Sequence, residues 1–144
     1  MMDLIVFSVD NNRYALKIDN VKRIIGAVEL TDIPSSHELI DGMMSYEDSV
    51  VKVLNFRKLI GLAPHEDEFK DISDSSLKFL FYEDETSNFA IKVDKIDDIA
   101  HINESDIMNS DDDGYTANDY LELEGVLDID SVLINVIKTI HLPN

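Results

Sequence analysis

The sequence predicts a mainly β protein, built as two packed small barrels with short helical turns. Three observations carry that expectation. An eleven-residue pattern occurs twice, 75 residues apart: Tyr14-Ala15-Leu16-Lys17-Ile18-Asp19-Asn20-Val21-Lys22-Arg23-Ile24 returns as Phe89-Ala90-Ile91-Lys92-Val93-Asp94-Lys95-Ile96-Asp97-Asp98-Ile99. Within these segments apolar residues alternate with a period of two, the pattern of a strand with one face in a core. Later segments rhyme as well: Gly42-Met43 precedes residues 55–62, and Gly125-Val126 precedes the similar run 135–142. Two copies are too few for a solenoid, which usually needs about three. The pattern places approximate repeats at 1–62 and 77–144, joined by an acidic connector over 63–76, within one domain.

Each element follows from local chemistry. Residues 4–9 are rich in β-branched and aromatic side chains and read as a strand. Asp10-Asn11-Asn12 is turn chemistry, because Asn and Asp tolerate left-handed backbone. Residues 14–18 return as a strand, and 21–28 extend again with a bulge or bend expected at Gly26. Pro34 favours extended backbone at Ile33. Ser35-Ser36-His37-Glu38 has capping-box spacing, so a short turn of helix is expected there. Residues 39–46 and 50–56 read as paired strands around the turn Glu47-Asp48-Ser49. One helical turn over 57–60 ends at Gly61, a residue suited to a helix C-terminus. The second repeat gives strands over 77–82, 89–93 and 96–102, a long mobile loop over 104–120, strands over 125–130 and 132–136, and a closing turn of helix.

Bulk composition excludes several function classes. The chain has 144 residues, enough for one compact domain or two small lobes sharing a core. No apolar run approaches the roughly 20 residues of a membrane helix. The start, Met1-Met2-Asp3, lacks the basic region of a signal peptide, so a cytoplasmic location is expected. The chain has no cysteine, which removes disulfides, thiolate metal sites and cysteine nucleophiles. Thirty acidic residues against 12 basic ones give a net charge of −18, a field that repels nucleic acid and anionic lipid. Such a charge solubilises a surface, or steers toward a basic protein partner.

No motif asks for catalysis or a cofactor. Asn109-Ser110-Asp111-Asp112-Asp113-Gly114 places oxygen ligands and a glycine as a calcium loop would, but Tyr120 stands where the bidentate Glu belongs. The histidines His37, His65, His101 and His141 lie at no short metal-ligand spacing. Phosphate loops and strained nucleophile turns are missing from the sequence. Asn103-Glu104-Ser105 matches a glycosylation acceptor, which carries no meaning without export.

The order of the pieces carries a resemblance. Residues 4–9, then Tyr14-Ala15-Leu16-x-Ile18-x-x-Val21-x-x-Ile24-Ile25, Ile33-Pro34, Ile40-x-Gly42-Met43-Met44 and Val50-Val51-x-Val53-Leu54-Asn55-Phe56-Arg57-x-Leu59, resemble a CheW-like domain. Ala90-Ile91-x-Val93-Asp94-x-Ile96, Gly125-Val126 and Leu133-Ile134-Asn135-Val136 agree in the second half, so nearly the whole chain is covered. The resemblance implies two packed five-stranded SH3-like β-barrel subdomains. It implies a non-enzymatic adaptor of chemotaxis-type signalling, coupling the cytoplasmic tip of a chemoreceptor to a CheA-type histidine kinase. No cofactor, nucleic acid or membrane insertion is implied.

Several positions depart from the family pattern. Where the family reads Asn-Leu-Arg-Gly after the first glycine, this chain has Ser45-Tyr46-Glu47-Asp48. Lys52 replaces the usual Pro, Asn55 and Asn135 replace Asp, and Arg23 replaces a commonly acidic residue. Residues 23 and 47 have thus exchanged signs, and Arg23 and Glu47 are expected to approach each other on the first barrel. The expected docking surface comprises Val21, Arg23, Ile24, Met43, Met44, Tyr46, Glu47 and Lys52, with Val21 and Ile24 open to a plain core role. Two alternatives stay open: a module scaffolding a pathway other than chemotaxis, and a calcium-responsive β-module using Asp111, Asp112 and Asp113.

Overall fold

The computed structural model describes residues 1–34, 36–62, 77–108 and 115–143, excepting the side chains of 115–118. The alternating segments form strands β1 (Met2–Val9), β2 (Asn12–Lys17), β3 (Val21–Gly26), β4 (Ile40–Tyr46), β5 (Ser49–Asn55), β6 (Lys78–Glu83), β7 (Asn88–Val93), β8 (Lys95–Ile102), β9 (Tyr115–Asn118), β10 (Leu121–Ile129) and β11 (Val132–Ile140). One helical turn, α1 (Phe56–Leu59), follows β5. The Asn55 side chain caps it by accepting the Lys58 N–H, and Gly61 closes it at φ +84°, as expected of that glycine.

Two sheets result, in the orders β3-β6-β7-β5-β4 and β8-β1-β2-β11-β10-β9. The five-stranded sheet β3-β6-β7-β5-β4 forms the first barrel, and the other sheet, extended by β9, forms the second barrel. Neither repeat builds a barrel by itself. The hairpin β1–β2 of the first repeat sits in the second barrel, and the hairpin β6–β7 of the second repeat sits in the first. Each exchanged hairpin joins its new sheet through a parallel pairing, β2 with β11 and β7 with β5.

The exchanged hairpins have both faces buried, which explains their nearly continuous apolar runs. In β1, Leu4 and Val6 point into the second barrel, with Ala15, Leu127, Ile134 and Val136. Ile5, Phe7 and Val9 point the other way, into a large core shared between the barrels. In β6 and β7, Phe79, Phe81 and Ala90 fill the first barrel while Leu80, Tyr82, Phe89 and Ile91 enter the shared core. Tyr14 and Phe89, the aromatics that open the repeated pattern, have matching surroundings. Tyr14 pairs across its hairpin with Phe7, and Phe89 with Tyr82. Their ring centroids lie 6.1 and 5.1 Å apart.

The repeated lysine of the pattern also has one role twice. Lys17 reaches Glu124 at 3.1 Å, and Lys92 contacts Asp41. Both carboxylates immediately precede the glycines of the pattern, Gly125 and Gly42, so each lysine clasps its hairpin to the other repeat. Each glycine lies against a crossing segment that makes an isolated bridge to the strand. A Cβ on Gly42 would sit 2.7 Å from the Thr31 carbonyl oxygen, and one on Gly125 2.5 Å from that of Met108. Arg57, only 6% exposed, joins the barrels from α1: its guanidinium donates to Asp10 at 2.7 Å and to Asp94 at 2.9 Å. The hydrogen bond to Asp10, more than the opposing burial, raises its already high pKa.

Several local expectations are corrected. The bulge in β3 falls between Val21 and Arg23, and Gly26 keeps its register opposite Lys78. Residues 36–39 form no helix; a turn instead carries the Ile40 N–H to the His37 carbonyl, and His37 Nδ1 accepts the Leu39 N–H. Ser35, the first residue of that capping box, lies outside the described residues. The loop expected over 104–120 contains a 3-10 turn, Glu104–Asp106, capped by Asn103, and strand β9. The closing helix is absent among the described residues, since β11 runs on as strand to Ile140. The sequence rhyme of residues 55–62 with 135–142 is out of register by three. Val53 stands beside Ala90 and opposite Gly42, just as Val136 stands beside Ala15 and opposite Gly125. The connector 63–76 and the candidate calcium loop 109–114 lie outside the described residues.

Candidate functional site

The β4–β5 hairpin turns through two residues, Glu47 at φ 47° and Asp48 at φ 65°. Left-handed backbone at both central positions matches the twist of the flanking strands but strains side chains other than Gly, Asn or Asp. β3 and β4 are the outer strands of the first barrel's sheet. The sheet curls until their side chains meet. Arg23 Nη2 on β3 lies 3.6 Å from Glu47 Oε1, and its guanidinium carbon lies 5.3 Å from the centre of the Tyr46 ring. The Tyr46 ring packs edge-on against Phe81, with centroids 4.8 Å apart at 73°. Phe81 stands opposite Arg23 in the β3–β6 pairing, so one stack runs from the barrel interior out to the charge pair. The β3 bulge immediately precedes Arg23.

The pair predicted from exchanged signs is therefore in contact. Its side chains are 52% and 68% exposed, so the ion pair stabilises by about 0–1 kcal/mol. The cation–π contact adds about 0.5–1 kcal/mol at such a site. These magnitudes are too small to hold the fold. They bias Arg23, Tyr46 and Glu47 toward this arrangement at the surface.

The other predicted site residues separate. Met44 packs into the first barrel's core, and Val21 packs half-buried against the shared core. Ile24 is 39% exposed on the outer strand β3. Met43 is half-buried, and its N–H and carbonyl bond reciprocally to Thr31. Lys52 lines a cavity of about 190 Å³ with Ile33, Pro34, His37, Ile40 and Pro143. His37 itself is held by Tyr120, whose hydroxyl lies 3.2 Å from Nε2.

Some residues at this site escaped the sequence reading. Phe81 supports Tyr46, yet in sequence it is one more apolar strand residue. The two Asn departures have a shared logic: Asn55 donates its amide to Asp41 and Asn135 donates to the Arg13 carbonyl, which a carboxylate could not do. The lysine clasps had a signal in the repeat, Lys17 and Lys92, but nothing local named their partners. Among the described residues no three His, Asp or Glu side chains converge as metal ligands. No helix among them is long and apolar enough to cross a membrane.

Comparison with known proteins adds three findings. The model of the CheW-like domain family matches residues 3–141. A curated relative, the Chemotaxis protein CheW of Thermotoga maritima, is 25% identical over 70 residues, covering 49% of this chain and 46% of that protein. The match thus spans about half of the relative's length. The crystal structure of the scaffolding protein TtCheW from Thermoanaerobacter tengcongensis is similar with a TM-score of 0.81 and 23% identity, over 97% of this chain and 90% of that one. At that identity the likeness concerns the fold.

Proposed function

We propose, from the fact that the chain belongs to the CheW-like domain family, that it is a non-enzymatic adaptor of chemotaxis-type signal transduction. It acts by holding a chemoreceptor's cytoplasmic tip and a CheA-type histidine kinase together. The single observation that carries a docking role for this chain is the surface cluster of exposed Arg23 and Glu47 around half-buried Tyr46 at the mouth of the first barrel. An aromatic ring fixed by Phe81 and flanked by both charges has the composition of an interface anchor, contributing area without large entropy cost on binding. The exchanged signs set partner choice rather than raw affinity. A partner that faces an arginine in other family members meets Glu47 here, and one that faces an acid meets Arg23.

The test uses the full chain, the source cell's CheA-type kinase and a cytoplasmic chemoreceptor fragment in equilibrium binding. Wild type is expected to bind both. Reversing Glu47→Arg is expected to weaken one of them by about tenfold, since it places two guanidinium groups together and repels a partner tuned to the acid. Affinities unchanged by Glu47→Arg and by Tyr46→Ala would remove this cluster from the docking surface. A wild-type chain that binds neither protein would refute the adaptor reading.

A further inference from the structure

An adaptor that joins two proteins needs two docking surfaces. Resting on that reading, we propose that the β10–β11 hairpin tip, centred on Val132 and Leu133, is a second docking element, whose partner presents an apolar pocket rimmed by arginine or lysine. The internal symmetry of the fold locates it. Gly42 with Val53, and Gly125 with Val136, occupy matching positions 83 residues apart. The same offset places Ile129 where Tyr46 stands, Asp130 for Glu47, Ser131 for Asp48 and Leu133 for Val50.

The two tips share their unusual features. Asp130 and Ser131 turn the chain at φ 52° and 67°, as Glu47 and Asp48 do at 47° and 65°. Glycine would relieve that strain, and neither tip uses it. Both tips hold an aliphatic side chain out to solvent: Val50 is 67% exposed and Leu133 61%, with Val132 beside it at 36%. A lone exposed aliphatic residue is ordinary. Here the exposure recurs at the symmetry-related position of an equally strained tip.

Charge distinguishes the tips and names the chemistry of the partner. At the first tip Arg23 balances Glu47. At the second, the position of Arg23 is taken by Asp98, Asp128 stands opposite Leu133 across the hairpin, and Asp130 lies in the turn two residues before Val132. The Asp128 carboxylate accepts the Ser131 N–H at 3.0 Å and so fixes the turn. Arg13 lies nearby through its carbonyl, which receives the Asn135 amide, but its guanidinium is directed to Asp97 at 3.6 Å. A partner's cation can supply at the second tip what Arg23 supplies at the first. Tips of unlike charge select unlike partners.

The experiment measures affinities of the full chain for the full-length kinase and the receptor fragment, with variants Leu133→Glu, Leu133→Ala, Asp130→Lys and Glu47→Arg. Leu133 is exposed, so its variants are expected to melt within a few degrees of wild type. Leu133→Glu is expected to weaken one partner by about tenfold, as loss of a central apolar contact does. Asp130→Lys should weaken that same partner and flatten its salt dependence. Glu47→Arg should act mainly on the other partner. If Glu47→Arg acts while both Leu133 variants leave both affinities unchanged, the second tip is overturned and the adaptor reading stands. Tighter binding by Asp130→Lys overturns the basic rim. A wild-type chain that binds neither protein overturns both readings together.

Discussion

Replacing four glycines by alanine, one at a time, tests the packing of both barrels with a built-in control. A Cβ on Gly125 would lie 2.5 Å from the Met108 carbonyl oxygen and 2.8 Å from Ile107 Cγ2. Ordinary contacts of that kind begin about 1 Å further out, at about 3.5 Å. The crossing segment must therefore retreat, at the expense of the reciprocal bonds between Met108 and Val126, now 2.8 and 2.9 Å. Two backbone hydrogen bonds at about 1 kcal/mol each, with about 1 kcal/mol or more of overpacking, give a loss of about 3 kcal/mol. Gly42 is in the same position against Thr31, with φ +153° adding backbone strain, so Gly42→Ala should lose at least as much. Gly61 has open space around it but φ +84°, and its alanine variant should lose about 1 kcal/mol. Gly26 has open space and no such φ, so Gly26→Ala should be neutral or stabilise by about 0.5–1 kcal/mol. Urea denaturation followed by circular dichroism measures all four, and thermal midpoints should shift in the same order. If Gly42→Ala and Gly125→Ala lose under about 1 kcal/mol, or if Gly26→Ala loses as much as they do, the close-approach reasoning fails.

Three further outcomes follow from the electrostatics and turns. Arg57→Met leaves the Asp94 carboxylate, which is 13% exposed, without its guanidinium. The expected loss is about 3–5 kcal/mol by denaturant titration, and a loss under about 1 kcal/mol would show that the barrels do not depend on this link. Burial first, and the hydrogen bond to Asp84 second, push the Tyr82 hydroxyl up to about 12. Its folded pKa exceeds the unfolded value of about 10, so its contribution to stability is full below that value and is lost as pH rises toward 12. Burial alone would raise Asp84, but hydrogen bonds from the Tyr82 hydroxyl, the Thr86 and Ser87 N–H groups and the Thr86 hydroxyl outweigh it and lower the carboxyl. Its contribution is present above the unfolded value and lost as pH falls through the lowered one. Tyrosinate absorbance in wild type against Tyr82→Phe, with melting at acid and alkaline pH, checks both signs. Finally, Ser131→Gly places glycine at φ 67°, where a serine is strained, and should stabilise by about 0.5–1 kcal/mol, read from the denaturation midpoint.

The candidate site was legible in part. Arg23 and Glu47 could be paired from sequence because each departs from the family pattern in sign, and complementary departures point to contact. Tyr46 was legible as an aromatic beside an acidic turn. Lys52 and Met44 sat equally well in the same sequence windows, but strand pairing sends Lys52 to a separate cavity and Met44 into the barrel. The helix expected at the C-terminus failed for a related reason. Residues 135–142 rhyme with 55–62 by letter, yet the pairing of Gly125 with Val136 fixes the register three residues away and extends the strand to Ile140.

By itself the sequence determined that this chain has two similar halves, that its strands alternate, and that its surface is strongly acidic, because periodicity, repetition and charge are local and additive properties of residues. Only the tertiary structure decided which half completes which barrel. Hydrogen bonds between strands carry no label of origin, so a hairpin from either repeat satisfies the same edge. The long-range contacts of Lys17 with Glu124, Lys92 with Asp41 and Arg57 with Asp10 and Asp94 tie down the exchanged arrangement, across separations that no local pattern spans.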